Sequence, residues 1–176
     1  MTTSKPPRSL VSGGDASSPV RVAKADRTPH KGSQGGMMEP RRGLVLHLDP
    51  DVLENAGAVS KLYRLSCRVL GWHWFVCLLV DDSGYSVWAP LFSRTAGSRY
   101  EVPTGAKRGH PNWRQAATFV DPDQLWICSQ EQVNDAATDD PRGFQNSLDT
   151  KVLDKRTNAR ATVALRSYLR AKEKQQ

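Results

Sequence analysis

The residues best suited to chemistry lie between Thr104 and Arg114, in the stretch TGAKRGHPNWR. Lys107, Arg108 and Arg114 are cations of the kind that hold phosphate. Trp113 offers a flat face on which an unpaired base stacks, worth roughly 1–3 kcal/mol in single-strand binders. His110 exchanges protons near neutral pH. Cleavage of RNA requires a base for the 2′-hydroxyl, an acid for the leaving oxygen and a positive charge beside the phosphate. This stretch carries residues for two of those tasks. The same residues also describe a solvated loop whose Trp113 folds back onto the core.

Three further groups stand beside it. His73 sits on a strongly apolar run, where a histidine is either a proton shuttle or a satisfied core residue. Ser93 and Arg94 follow the run ending Leu91-Phe92; a serine and a cation at a strand end suit phosphate, or else an ordinary polar turn. Arg64 and Arg68 fall on one face of an alternating segment, about 13–14 Å apart, as a solvent-facing pair or a binding stripe. Asp81 and Asp82 read as turn formers, with no third acidic ligand nearby, so no metal is expected. No glycine-rich phosphate cradle, nucleophile elbow or zinc-protease helix is present. The chemistry envisaged needs no cofactor.

The elements that must position these residues centre on 71–92, GWHWFVCLLVDDSGYSVWAPLF, which holds three of the five tryptophans. Trp74 to Val80 is apolar on both alternating faces: His73, Phe75, Cys77 and Leu79 against Trp74, Val76, Leu78 and Val80. Such a strand is covered above and below. Asp81-Asp82-Ser83-Gly84 folds it into an antiparallel hairpin with the next strand. Ahead of it, Leu44–Leu48 reads as a strand stopped by Asp49-Pro50, 51–58 as one helical turn ended by Gly57, and 61–70 as a half-buried strand. Residues 61–92 are thus expected to form a three-strand meander. Further strands are expected over 98–102, Thr118–Asp121 and Gln124–Ser129, with 103–117 a long loop and Asp121-Pro122-Asp123-Gln124 a tight turn. The chain closes in a helix over 158–173, capped by Thr157 or Asn158, with Ala161, Leu165, Tyr168 and Lys172 in one row.

The fold class expected is mainly β: a small, strongly bent antiparallel sheet or barrel with a C-terminal helix and a disordered N-terminal tail. The divisions are a basic tail over 1–42, a β domain over 43–130, an irregular excursion over 131–157 and a basic amphipathic helix over 158–176. Met37-Met38 marks the change in composition and reads as a candidate alternative translation start. Charge follows the same divisions. The net +7 resolves into +5 over 1–42, −4 over 43–150 and +6 over 151–176. Basic ends favour polyanions such as RNA or DNA, or simply maintain solubility. Cys67, Cys77 and Cys128 lie in apolar runs without CxxC spacing. This points to buried reduced thiols and a cytoplasmic setting. No apolar run has the roughly 18–20 residues needed to span a bilayer, and no signal-peptide core is apparent, so no membrane partner is expected.

The order Arg-Arg-Gly-Leu-Val, WFVCLLV, SVWAPLFS and ATFVDPDQLWICS resembles the strand sequence of MazF/PemK-type toxins over residues 43–130. The resemblance implies an SH3-like barrel, a homodimer, an acidic antitoxin-like protein partner and metal-independent endoribonuclease activity. Where that family carries a catalytic arginine ahead of the central strand, this chain has His73. Where it carries Thr or Ser at the end of the next strand, this chain has Phe92 and then Ser93. In the resulting reading His110 or His73 shuttles protons, Ser93 marks the strand-end position, and Arg94, Lys107, Arg108 and Arg114 hold phosphate. A non-catalytic nucleic-acid-binding accessory protein of plasmid or phage origin, and a protein-interaction module, fit the same sequence.

Overall fold

The computed structural model describes residues 38–63, 69–137 and 145–175. Most of the basic tail expected over 1–42 lies outside the described residues, as do Arg64, Cys67, Arg68 and part of the expected strand over 61–70. The apolar run LVLHL forms β1 (Leu44–Leu48). The Asp49 carboxylate accepts the Asp51 N–H at 2.9 Å, and Pro50, which has no amide to leave unpaired, opens α1 (Pro50–Asn55). Gly57 follows at φ +83°, the left-handed position that ends a helix cheaply only for glycine. A short β2 (Val59–Leu62) comes next.

The expected hairpin forms from β3 (His73–Val80) and β4 (Tyr85–Phe92). Its turn is closed by the Asp81 carboxylate on the Ser83 N–H, 3.1 Å, and by Gly84 at φ +82°. The strict alternation expected along β3 breaks at a bulge between Cys77 and Leu79. An extra residue in one strand turns the following side chains over, so Leu79 packs with Val76 and Leu78 rather than with Phe75 and Cys77.

Residues 103–117 are more structured than the long loop expected. After β5 (Tyr100–Glu101) come a 3-10 turn at Thr104–Ala106, β6 (Lys107–Arg108) and α2 (Pro111–Gln115). The two closing strands are β7 (Phe119–Val120) and β8 (Gln124–Ser129). The region read as an excursion contains α3 (Gln130–Ala136). There Ser129 and Gln132 form a capping box, each side chain meeting the other's backbone N–H. It also contains β9 (Asn146–Leu148). The last helix, α4 (Lys155–Glu173), starts one turn earlier than expected. Its cap is Asp154, whose carboxylate accepts the Thr157 N–H at 2.6 Å.

All described pairings are antiparallel and build one sheet, ordered β2-β8-β4-β3-β1-β9-β6. The end of β4 also pairs with β7, and β7 with β5. Among the described residues no pairing joins β2 to β6, so the sheet is open. The meander expected over 61–92 does not form, because β2 pairs with β8 while β1 lies beside β3, Leu46 opposite Phe75. Burial explains the exchange. β1 is buried at four of its five positions and needs neighbours on both sides, whereas VSKL in β2, half-exposed throughout, suits an edge.

The sheet is covered on both faces. Val45, Val76, Val87, Ala89 and Ile127 face Ala161, Ala164 and Leu165 of α4. Leu46, Phe75, Cys77, Trp88 and Trp126 face Leu53 of α1 with Val133 and Ala136 of α3. Cys77 and Cys128 are free thiols inside this second layer; burial pushes the Cys77 thiol up to about 12 and Cys128 up further. The Asp121-Pro122-Asp123 turn ties the sheet to α4. Asp123 is 3% exposed and its carboxylate takes Arg160 and Ser98, while Arg99 Nε reaches Asp121 at 3.2 Å. Among the described residues no helix is long and apolar enough to cross a membrane.

Candidate functional site

Ser93 and His110 meet at one cavity of about 300 Å³, lined by Trp74, Leu91, Phe92, Ser93, His110, Asn112, Trp113, Ala116, Ala117, Thr118 and Asn146. Three local features build it. The first is the end of β4, where Leu91 turns inward and Ser93 emerges into solvent. The second is β3, whose pleat sends Trp74 towards the cavity and His73 to the opposite face. The third is the segment from Lys107 to Thr118, which folds over the open end of the sheet.

That segment is held by two anchors. Gly109 has φ +112°, and a Cβ there would lie 2.8 Å from Asn146 Cα and 2.9 Å from Gln145 O. Only glycine lets the chain pass so close to β9. Asn146, itself buried, then accepts the His110 N–H on Oδ1 at 2.9 Å. His110 in turn caps α2: its Nδ1 accepts the Asn112 N–H at 3.1 Å. An Nδ1 that accepts leaves the neutral ring's proton on Nε2, so the imidazole is set in the tautomer that donates from Nε2. Pro111 opens the single turn of α2, and the turn drives Trp113 inward.

Trp113 is 7% exposed. It folds back onto the core as the plainer reading expected, yet its ring still forms part of the cavity wall. Its centroid is 6.3 Å from that of Trp74. Trp74 continues outward to His47 at 5.0 Å, and His47 stacks on Trp72 at 5.5 Å. A row of aromatic rings therefore runs from the half-exposed surface of β1 and β3 into the cavity. Burial lowers the pKa of His47, with His73 lowering it further and Asp49 partly opposing.

The expected phosphate-binding cations are placed differently from one another. Lys107 is fully buried. Its ammonium donates to Ala116 O and to Thr118 Oγ1, the latter at 2.7 Å, and lies 5.0 Å above the Trp113 ring. Burial lowers its pKa, which Glu101 partly counteracts. Direct contact between Lys107 and a ligand in solvent is therefore not available. Arg108 turns back on the chain, donating to Gly105 O at 2.7 Å and Lys107 O at 3.0 Å. Arg94 is exposed beyond Ser93, and Arg114 borders a separate surface depression with Thr104, Gly105, Pro111 and Gln115. His73 does not line the cavity; its ring packs on Phe92 at 5.2 Å, and its Nδ1 is buried without a partner among the described residues. Arg64 and Arg68 lie outside the described residues.

The sequence reading missed Asn112, Asn146 and Thr118, which give the cavity most of its polar lining. Asn146 lay in a segment without periodicity, and only its three-residue strand brings it here. His-Pro at 110–111 was the available signal for α2, since proline favours the first helical turn. Among the described residues no three His, Cys, Asp or Glu side chains come together as a metal site. No protein-family model matches the chain, and no curated protein matches it.

Proposed function

We propose that the protein acts on RNA, as a toxin-like RNA-directed protein whose open sheet is a variant of the SH3-like barrel, and that the cavity receives one unpaired nucleotide. The observation that carries this reading is the meeting of Ser93 and His110, distant in sequence, at a single cavity walled by Trp74 and Trp113. Two indole faces suit a base, and Asn112, Asn146 and Ser93 supply hydrogen-bonding groups for its edge. In the catalytic form of the reading, the Nε2–H of His110 hydrogen-bonds the leaving oxygen. To protonate it, the ring first releases the Asn112 N–H and takes a second proton on Nδ1, so that the imidazolium is the acid, and no metal takes part. Residual features of the MazF/PemK resemblance, namely a cytoplasmic homodimer with an acidic antitoxin-like partner, belong to the same proposal.

One observation favours the non-catalytic alternative. Lys107 and Arg108 both donate to groups of the chain itself, and among the described residues no lysine or arginine lines the cavity to meet charge developing on phosphate. A nucleic-acid-binding accessory protein requires none there. Incubation with single-stranded RNA in the presence of a chelator separates the two. Cleavage that is lost in His110→Ala and retained in His73→Ala supports the nuclease. Salt-dependent binding without cleavage supports the accessory protein. Absence of both binding and cleavage removes the RNA reading.

A further inference from the structure

Two donors at the cavity lack an anionic hydrogen-bond partner among the described residues, one behind the wall and one within it. The first is Lys107. Each of its contacts is electron-rich: Ala116 O, Thr118 Oγ1 and the face of Trp113. The Thr118 hydroxyl proton is directed to Ala116 O at 3.1 Å, so it does not face the lysine nitrogen. The surroundings are those of an ammonium ion, and no carboxylate forms an ion pair with it among the described residues. The second is the indole N–H of Trp113, which is buried and has no hydrogen-bond partner among the described residues. Ala116, Thr118 and Trp113, which surround the lysine, are themselves lining residues.

A buried cation hydrogen-bonded only to neutral groups, with the Glu101 carboxylate acting on it without an ion-pair contact, still projects charge into the nearest accessible space. A buried donor left unpaired is similarly costly until an acceptor meets it. We infer that the cavity selects an anionic, acceptor-rich ligand, a nucleotide carrying its phosphate rather than a neutral nucleoside. Lys107 acts as a positioning charge behind the wall, and the buried Trp113 Nε1–H adds a second, unpaired donor dipole there. This rests on the reading of the cavity as a nucleotide site, and it replaces direct phosphate contact by Lys107 with a field that acts through the wall. At an effective dielectric of about 20, a unit charge still changes affinity roughly tenfold at about 12 Å. The preference therefore does not require contact.

The test is calorimetric titration of the full chain with adenosine 3′-monophosphate and with adenosine, each at low salt. The nucleotide is expected to bind at least roughly tenfold more tightly. Lys107→Met removes the charge and keeps the stem; it should abolish the nucleotide's advantage over adenosine. Trp113→Phe keeps an aromatic wall, loses stacking area for both ligands and loses the donor; it should narrow the nucleotide's advantage over adenosine. Equal affinity of wild-type protein for the two ligands overturns the inference whether or not Lys107→Met folds. So does a nucleotide advantage that survives in folded Lys107→Met. The two proposals fail separately. Nucleotide selectivity without any RNA binding removes the RNA reading only, whereas RNA binding without selectivity removes this one only.

Discussion

Replacing Asn146 by alanine tests how the His110 segment is held over the sheet. Asn146 is 2% exposed, and its Oδ1 is the acceptor for the His110 N–H at 2.9 Å. Truncation leaves that half-buried N–H without a partner and opens a gap beside Gly109. An orphaned buried amide costs about 1–3 kcal/mol. We expect a loss of about 2 kcal/mol, which lies inside that range. With a urea dependence of about 1–3 kcal/mol/M, the unfolding midpoint should fall by roughly 1 M. Ser147, the next residue of β9, points to the other side of the strand; Ser147→Ala should stay within about 0.5 kcal/mol of the parent. Amide hydrogen exchange at His110 should accelerate in Asn146→Ala. An unchanged midpoint together with an unchanged His110 exchange rate would refute the reasoning.

Two further outcomes concern the scaffold. Asp123→Ala removes the acceptor that holds Arg160 and Ser98 at the β7–β8 turn. Stranding the largely buried arginine should destabilise the fold by about 3–5 kcal/mol, read as a lowered thermal midpoint; a change below about 1 kcal/mol contradicts it. The Cys77 thiol is pushed up to about 12 from an ordinary value near 9. Between those limits the unfolded chain releases a proton that the folded chain keeps, so stability falls as pH rises through that window. The wild-type protein should therefore lose its advantage over Cys77→Ala by up to about 1.4 kcal/mol per pH unit above pH 9. Denaturation curves in that range that stay parallel for the two proteins contradict this.

Much of the sheet was legible because apolar alternation is a local signal. The run from Trp74 to Val80, the Asp81–Gly84 turn and the pairing of β3 with β4 follow from residues adjacent in sequence. Partner choice is not local. Nothing within KLYRL says that Val59–Leu62 pairs with β8 and leaves the place beside β3 to Leu44–Leu48; that depends on how thoroughly each strand must be buried. The bulge at Leu78 is equally invisible in an unbroken apolar run. At the site, Ser93, His110 and Trp113 stood out by residue type. Lys107 was misplaced for the same reason, since lysine is rarely buried, and its interior position follows from Ala116 and Thr118 closing over it. Asn146 gave no signal at all, because a three-residue strand is too short to show a period.

The most direct test of RNA at this cavity is photocrosslinking to a single-stranded RNA containing 4-thiouridine, followed by mapping of the modified peptides. The expected adducts fall on the peptides bearing Trp74, Ser93 or residues 110–118, and they diminish when Trp74 is replaced by alanine. Adducts confined to residues 1–37 or to the basic helix 155–173, with the cavity peptides unmodified, would contradict the cavity as the site of recognition.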